Sequence, residues 1–83
     1  MSRYATATHS ARAHAEVTPS DAEDLEKAPC RALYIGVGGD VEVHDSEGNA
    51  ATYVGVLTGS ILPVQAKRVL STGTTATNIV ALY

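Results

Sequence analysis

The sequence predicts an all-β fold: a small antiparallel β-sandwich or partly closed barrel of about five strands, spanning residues 30–83 of the 83-residue chain. Two observations support this prediction. Sixteen of the 18 Val, Ile and Leu residues lie in residues 31–83, so any hydrophobic core belongs to this region. Within it, short apolar segments alternate with clusters of Gly, Ser, Thr, Asp and Asn at intervals of roughly ten residues, a pattern typical of strands joined by turns.

Residues 1–29 are predicted to form an N-terminal arm outside this β domain. Residues 1–17 are rich in Ala, Thr, Ser and His and show too little apolar periodicity to fold alone. We therefore expect an extended arm that becomes ordered on a partner. Because Ala11, Ala13 and Ala15 alternate with polar residues, the arm could also pair with a sheet as an added strand.

Residues 18–28 predict a short helical turn at the end of this arm. Thr18 suits the N-cap position, Pro19 suits the first helical position, and Pro29 ends the segment. Four acidic residues and one Lys give the segment a net negative charge. The acids near its start complement the dipole of a helix.

Five strands are predicted in the β domain. In the second, Val41 and Val43 alternate with polar residues, which predicts one buried face. In the fourth, Pro63 lacks the amide hydrogen that a sheet needs, which indicates an edge or a bulge. The fifth ends in an apolar run from Ile79 to Tyr83, which favours a central strand or one buried against another subunit. The predicted strands are residues 31–36, 40–45, 50–57, 61–70 and 75–83.

The composition excludes several classes of protein. The chain is too short for a large enzyme fold such as a TIM barrel, and no stretch approaches the roughly 18 consecutive apolar residues of a membrane helix. The N-terminus lacks the apolar segment of a secretory signal, and the single cysteine, Cys30, excludes an internal disulfide framework. A net charge of −3 and a pI near 5.4 argue against a general nucleic-acid binder. We therefore expect neither a nucleic-acid nor a membrane partner.

No catalytic centre, metal site or cofactor is predicted, and the expected protein is not an enzyme. Residues 36–40 are Gly-rich, but a strand follows them rather than the helix N-terminus of a phosphate-binding loop, so we predict a tight turn. Ser and Thr cluster in turns, and Cys30 is expected to be a small buried residue. The side chains that could ligate a metal lack the spacing of a zinc or calcium site; they are His9, His14, Cys30, His44, Asp45 and Glu47.

The small size of the domain predicts assembly. Below about 70–80 residues a single core rarely contributes more than ~3–5 kcal/mol, and small proteins usually add disulfides, a metal or a partner subunit. Since neither disulfides nor a metal site is expected here, we expect the additional stability to come from oligomerisation or from docking on a larger surface.

Five stretches of the sequence, taken in order, resemble one known family. They are residues 17–21 (VTPSD), 31–36 (RALYIG), 59–64 (GSILPV), 67–69 (KRV) and 72–83 (TGTTATNIVALY). Over roughly residues 17–83, the chain resembles the head spike base proteins of gene transfer agents and related tailed phages of alphaproteobacteria. The resemblance implies a virion structural protein that forms an oligomeric ring on the capsid at the five-fold vertices and carries a spike or fibre.

The resemblance also implies a location and a set of partners. The protein would be made in the cytoplasm of the bacterial host and would lie on the outer surface of the capsid. Its partners would be further copies of itself in a homo-oligomer, expected to be a pentamer, with the major capsid protein below and a spike fibre protein above.

Two sets of residues are the expected contacts in this role. The arm is expected to contact the capsid through Arg3, Tyr4, Arg12, His14 and Val17. The apolar fourth and fifth strands are expected to form the subunit interface through Ile61, Leu62, Val64, Ile79, Val80, Leu82 and Tyr83.

Two other functions fit the same sequence. A capsid decoration (cement) protein would also be a small β domain with an arm, and it would bind as a trimer at three-fold or quasi-three-fold positions. A small module that binds host carbohydrate would need an exposed aromatic platform, for which the domain offers Tyr34, Tyr53 and Tyr83. An oligomeric state would separate the first of these from a vertex ring, and a glycan-binding assay would identify the second.

Overall fold

The computed structural model describes residues 10–83, which form seven β-strands and no helix. The strands build two antiparallel sheets, which confirms the predicted all-β sandwich. Sheet A has the order β1-β7-β2-β5 and sheet B the order β4-β3-β6. The strands are β1 (His14–Glu16), β2 (Ala32–Val37), β3 (Gly39–Asp45), β4 (Ala50–Val56), β5 (Ser60–Leu62), β6 (Ala66–Val69) and β7 (Thr77–Leu82).

The predicted fourth strand is two strands in different sheets. Its first part, β5, pairs with β2 in sheet A, and its second part, β6, pairs with β3 in sheet B. Pro63 lies directly after β5, and because it has no amide hydrogen it cannot continue the ladder. The chain uses this point to cross from one sheet to the other, so Pro63 marks an edge, as its chemistry indicated.

The arm supplies a strand to its own domain. His14, Ala15 and Glu16 pair with Leu82, Ala81 and Val80 of β7, in the register that the alternation of Ala residues allows. Val17 follows, and its side chain is buried in the core. The arm therefore does pair with a sheet as an added strand, but the sheet belongs to the same chain.

The core lies between the two sheets and follows the two-residue period of the strands. Leu33 and Ile35 of β2 are fully buried, as is Val41 of β3, and Val43 is 3% exposed. The buried face predicted for Val41 and Val43 is thus confirmed. The remaining buried residues are Val17, Cys30, Ala66, Val69, Ala76, Ile79 and Ala81.

Residues 18–28 do not form the predicted helical turn. The Ser20 hydroxyl accepts hydrogen bonds from the amides of Ala22 and Glu23, both at 3.1 Å, which closes a local bend but starts no helix. The segment at residues 18–30 is instead extended along β6. Three of its amides donate hydrogen bonds to carbonyls of β6 and so are not available for the hydrogen bonds of a helix. These bonds run from Ser20 to Val69 (2.9 Å), from Leu25 to Lys67 (2.7 Å) and from Cys30 to Ala66 (3.0 Å).

Two polar contacts fasten this segment to β6 and to the turn that follows β6. The Asp21 carboxylate accepts hydrogen bonds from the amide of Thr72, at 2.9 Å, and from its hydroxyl. These bonds favour the charged carboxylate, with the Thr72 hydroxyl contributing most, and lower the pKa of Asp21. Asp24 forms an ion pair with Arg68 at 2.8 Å, but because both side chains are partly exposed it contributes little stability.

Truncation of a core residue tests the packing. We expect Leu33→Ala to lower the free energy of unfolding by about 2–5 kcal/mol, because the side chain is fully buried and leaves a cavity. Leu57→Ala is the matched control: Leu57 is 75% exposed, and its loss should change the free energy by less than about 0.5 kcal/mol. Urea unfolding of the dilute subunit measures both; equal effects would contradict this description of the core.

Removal of the Asp21 carboxylate tests the fastening of the segment. The pKa of Asp21 is lower in the folded chain than its ordinary value of 3.8, so its contribution is fully present above that value and is lost as the pH falls through the folded pKa. We expect Asp21→Ala to lower Tm at pH 7 and to have little effect at pH 2. Glu23→Ala, which removes a neighbouring exposed acid, should leave Tm unchanged; a Tm deficit of Asp21→Ala that persists at pH 2 would contradict this cause.

Candidate functional site

Two of the residues considered as metal ligands, Asp45 and Cys30, serve structural roles. The Asp45 carboxylate accepts hydrogen bonds from the amides of Glu47 and Asn49, both at 2.9 Å, and so closes the β3–β4 turn; these bonds lower the pKa of Asp45. Cys30 is 1% exposed, and burial raises the pKa of its thiol. Within residues 10–83 no three His, Cys, Asp or Glu side chains cluster as a metal site would require, and His9 lies outside these residues.

The Gly-rich stretch at residues 36–40 is the tight connection between β2 and β3. A side chain at Gly38 would collide with the carbonyl of Val56, and one at Gly39 would collide with Thr75. The Gly38 amide donates to the Thr58 hydroxyl at 2.8 Å, and the Asp40 amide donates to the Thr75 hydroxyl at 2.8 Å. Close backbone approach therefore explains these glycines. None of the described residues forms a helix long and apolar enough to cross a membrane.

An apolar strip crosses the outer face of sheet A from β5 through β2 to β7, and His14 and Glu16 of β1 lie beside it. Residues directly opposite each other in antiparallel strands share a face. Tyr34 lies opposite Val80 on one side and Ile61 on the other, and Leu82 lies opposite Ala32 in the next row. Because the neighbours of Tyr34 along β2, Leu33 and Ile35, point into the core, this row points away from it. We call Tyr34, Ile61, Val80 and Leu82 the sheet A strip.

A second apolar area lies at the corner where β4 runs into β5. Val54 is 77% exposed, Leu57 is 75% exposed and Ile61 is 57% exposed. The sequence from residue 49 to residue 66 contains no Asp, Glu, Lys, Arg or His, so no charged side chain belongs to either strand. We call Val54, Leu57 and Ile61 the β4–β5 corner. Ile61 is counted in both groups because it lies opposite Tyr34 on the strip and follows Val54 and Leu57 in the sequence.

Large exposed apolar side chains that adjoin each other indicate an interaction surface. Single exposed apolar residues are common in soluble proteins, whereas a contiguous group marks a contact with another molecule. The members of the sheet A strip are neighbours in the strand register and form such a group. The β4–β5 corner adds exposed apolar side chains on residues 49–66, which carry no charge. The candidate functional site of this chain is therefore an interface.

The seven predicted interface residues do not form a single patch. Ile61, Val80 and Leu82 lie on the sheet A strip, as an interface requires. Ile79 is 1% exposed and is part of the subunit's own core, because alternate residues of β7 point to opposite faces. Including Ile79 in a surface contact was therefore wrong. The remaining three are partly buried and pack against the core; they are Leu62, Val64 and Tyr83.

The predicted capsid contacts of the arm also separate. Arg3 and Tyr4 lie outside the described residues. Arg12 and His14 are exposed, and the Arg12 amide donates to the carbonyl of Tyr83 at 2.7 Å, which fixes the start of β1. Val17 is buried, and its amide donates to Ile79 at 2.9 Å, so its side chain holds the arm on the domain and is unavailable to a capsid.

The sequence interpretation missed Val54 and Leu57, and it did not assign Tyr34 to the interface. A usable signal was present, since residues 49–66 carry no charge. The three tyrosines also differ. Tyr34 is 39% exposed, whereas Tyr53 and Tyr83 pack against the core. A flat aromatic platform of the kind that carbohydrate-binding modules use is not formed by these three side chains.

Comparisons with known proteins identify a relative among the solved structures. No protein-family model matches the chain, and no curated protein matches it. A search of solved structures finds a chain in the capsid of a native gene transfer agent (GTA) particle, computed with C5 symmetry. The two chains share 46% sequence identity with a TM-score of 0.78, and the match covers 88% of this chain and 83% of that one. The chain therefore belongs to the family of GTA capsid components that this structure represents, and it is a structural protein of such particles.

Proposed function

We propose that this chain is a head spike base: a capsid component that forms a ring at the five-fold vertices and attaches a spike or fibre. The single observation that carries the proposal is the 46% identity to a chain in a GTA capsid computed with C5 symmetry. The C5 symmetry belongs to the computed capsid as a whole, and a component that repeats five times around one vertex fits it. The sequence resemblance to head spike base proteins in residues 17–83 points to the same position.

The surface of the subunit supports assembly into a ring. In a cyclic ring each subunit uses two different surfaces, one for each neighbour. The sheet A strip and the β4–β5 corner offer exposed apolar area for such a contact, and Ile61, Val80 and Leu82 remain interface residues in this proposal. Leu62, Val64 and Tyr83 would act indirectly, since they support the strands beneath.

The arm is the proposed contact with the major capsid protein. Arg12 and His14 are exposed at the start of the described chain, and Arg3 and Tyr4 precede them in sequence. Residues 1–17 contain two Arg and two His against one Glu, so this segment suits an acidic capsid surface. Five copies in a ring would make weak arm contacts strong through multivalency. The opposite side of the ring would then hold the spike fibre protein on the outside of the capsid.

A labelling experiment on particles tests this role. A small epitope inserted at Gly48, in the exposed β3–β4 turn, should leave the fold intact and allow gold labelling of purified particles. We expect label at the five-fold vertices. Label at three-fold positions would favour a decoration protein, and absence of the chain from particles would contradict the proposal.

The same particles test the arm. We expect the double variant Arg3→Ala/Tyr4→Ala to reduce incorporation into particles by about tenfold, because each of five copies loses a charge and an aromatic contact. The matched control is Thr6→Ala/Thr8→Ala, which changes two residues of the same segment but removes neither charge nor ring. Equal incorporation of the two variants, measured by quantitative mass spectrometry against the major capsid protein, would exclude this contact.

A further inference from the structure

The two sheets have four edge strands, and three of these edges are protected. The outer edge of β6 is covered by residues 18–30, whose amides donate to the carbonyls of Ala66, Lys67 and Val69. The edges β1 and β5 are three residues long, and β5 ends at Pro63. Short strands, proline and covering segments are the usual devices that prevent a sheet edge from pairing with another chain.

The fourth edge, β4, has few of these devices. It is seven residues long and pairs only with β3 among the strands of the described residues. Ala50 to Tyr53 lie opposite His44 to Val41 one by one, so the backbone is regular over these four positions. An edge strand of this kind presents unpaired N–H and C=O groups in a row, and no charged side chain of β4 guards them.

Beyond Tyr53 a bulge ends the regular edge. The register shifts between Val41 and Gly39, Gly55 has a φ of 71°, and its amide donates to the Asp40 carboxylate at 3.0 Å. A bulge bends its strand and stops further pairing. The edge therefore offers a stretch of defined length at residues 50–53, followed at once by the exposed apolar side chains of the β4–β5 corner.

We propose that β4 is the edge at which a second copy of this chain joins: an extended segment of the second copy adds to residues 50–53, and the β4–β5 corner packs against that copy. This inference rests on the proposed ring and names the surface that builds it. Main-chain hydrogen bonds supply affinity in such a strand addition, and the adjoining apolar side chains select the partner.

The chemistry of this edge favours a second copy over another virion protein. Interfaces between identical subunits are more apolar than other interfaces and are depleted of charge at their centre. Residues 49–66 carry no charge, whereas residues 1–28 contain eight of the 15 Asp, Glu, Lys and Arg residues of the chain. The related chain belongs to a capsid computed with C5 symmetry. In the ring proposed above, each contact would join two different surfaces of neighbouring copies.

A charge placed at the corner tests the inference. Val54 is 77% exposed, so Val54→Lys should leave the isolated subunit folded, but it would place an ammonium group inside the contact. We expect the midpoint concentration for oligomer assembly, measured by sedimentation velocity, to rise at least tenfold. Ser71→Lys adds the same charge at an exposed turn outside this surface and is the matched control. Leu57→Lys, at a 75% exposed position, serves as a second variant if Val54→Lys unfolds.

Amide hydrogen exchange distinguishes strand addition from side-chain contact alone. We expect the alternate amides of residues 50–53 that point away from β3 to exchange more slowly in the oligomer than in the dilute subunit, because a second strand would bond them. Unchanged exchange there, or equal assembly of Val54→Lys and Ser71→Lys, would overturn the inference. A wild-type chain that stays monomeric at millimolar concentration yet enters particles would also overturn it, while leaving the proposed function intact. Absence of the wild-type chain from particles would instead refute the proposed function.

Discussion

The structure depends on one constraint: a backbone amide or carbonyl that is buried needs a hydrogen-bond partner, and an edge strand exposes a row of such groups that another chain can bond. Residues 10–83 form seven strands in two open sheets, and open sheets have edges. Amides of residues 18–30 donate to carbonyls of β6 and cover its outer edge. The end of the arm forms β1, which pairs with the outer edge of β7. The β4 edge is the longest edge left uncovered among the described residues, and Val54 and Leu57 beside it are the most exposed of their large apolar side chains.

The small core makes such an edge useful to the assembly. The buried residues are mainly Val, Ile, Leu and Ala, and the chain has no Phe or Trp to add buried area. A domain of this size gains stability from burying further apolar surface in a partner. A capsid component is made to be part of a larger particle, so a subunit that completes its sheets and covers its corner on a neighbour suits that setting.

The sequence predicted which side chains of a strand point into the core better than it predicted which strands pair with each other. The alternation around Val41 and Val43 indicated one buried face because it depends only on neighbouring residues. Pro63 indicated an edge, but the change of sheet after it depends on residues distant in sequence. The helical turn at residues 18–28 had correct local signals, yet β6 offered carbonyls that competed for the same amides. The apolar run at the C-terminus was treated as one surface, whereas β7 turns Ile79 inward and Val80 outward. The free β4 edge could not be deduced without the strand order.

A localised reconstruction of the five-fold vertex in purified particles tests the central claim most directly. The account predicts a ring of five copies of this chain on the outer surface, with β4 of each copy in contact with an extended segment of the next. A vertex without this chain, or a ring in which the β4 edge faces solvent, would contradict it.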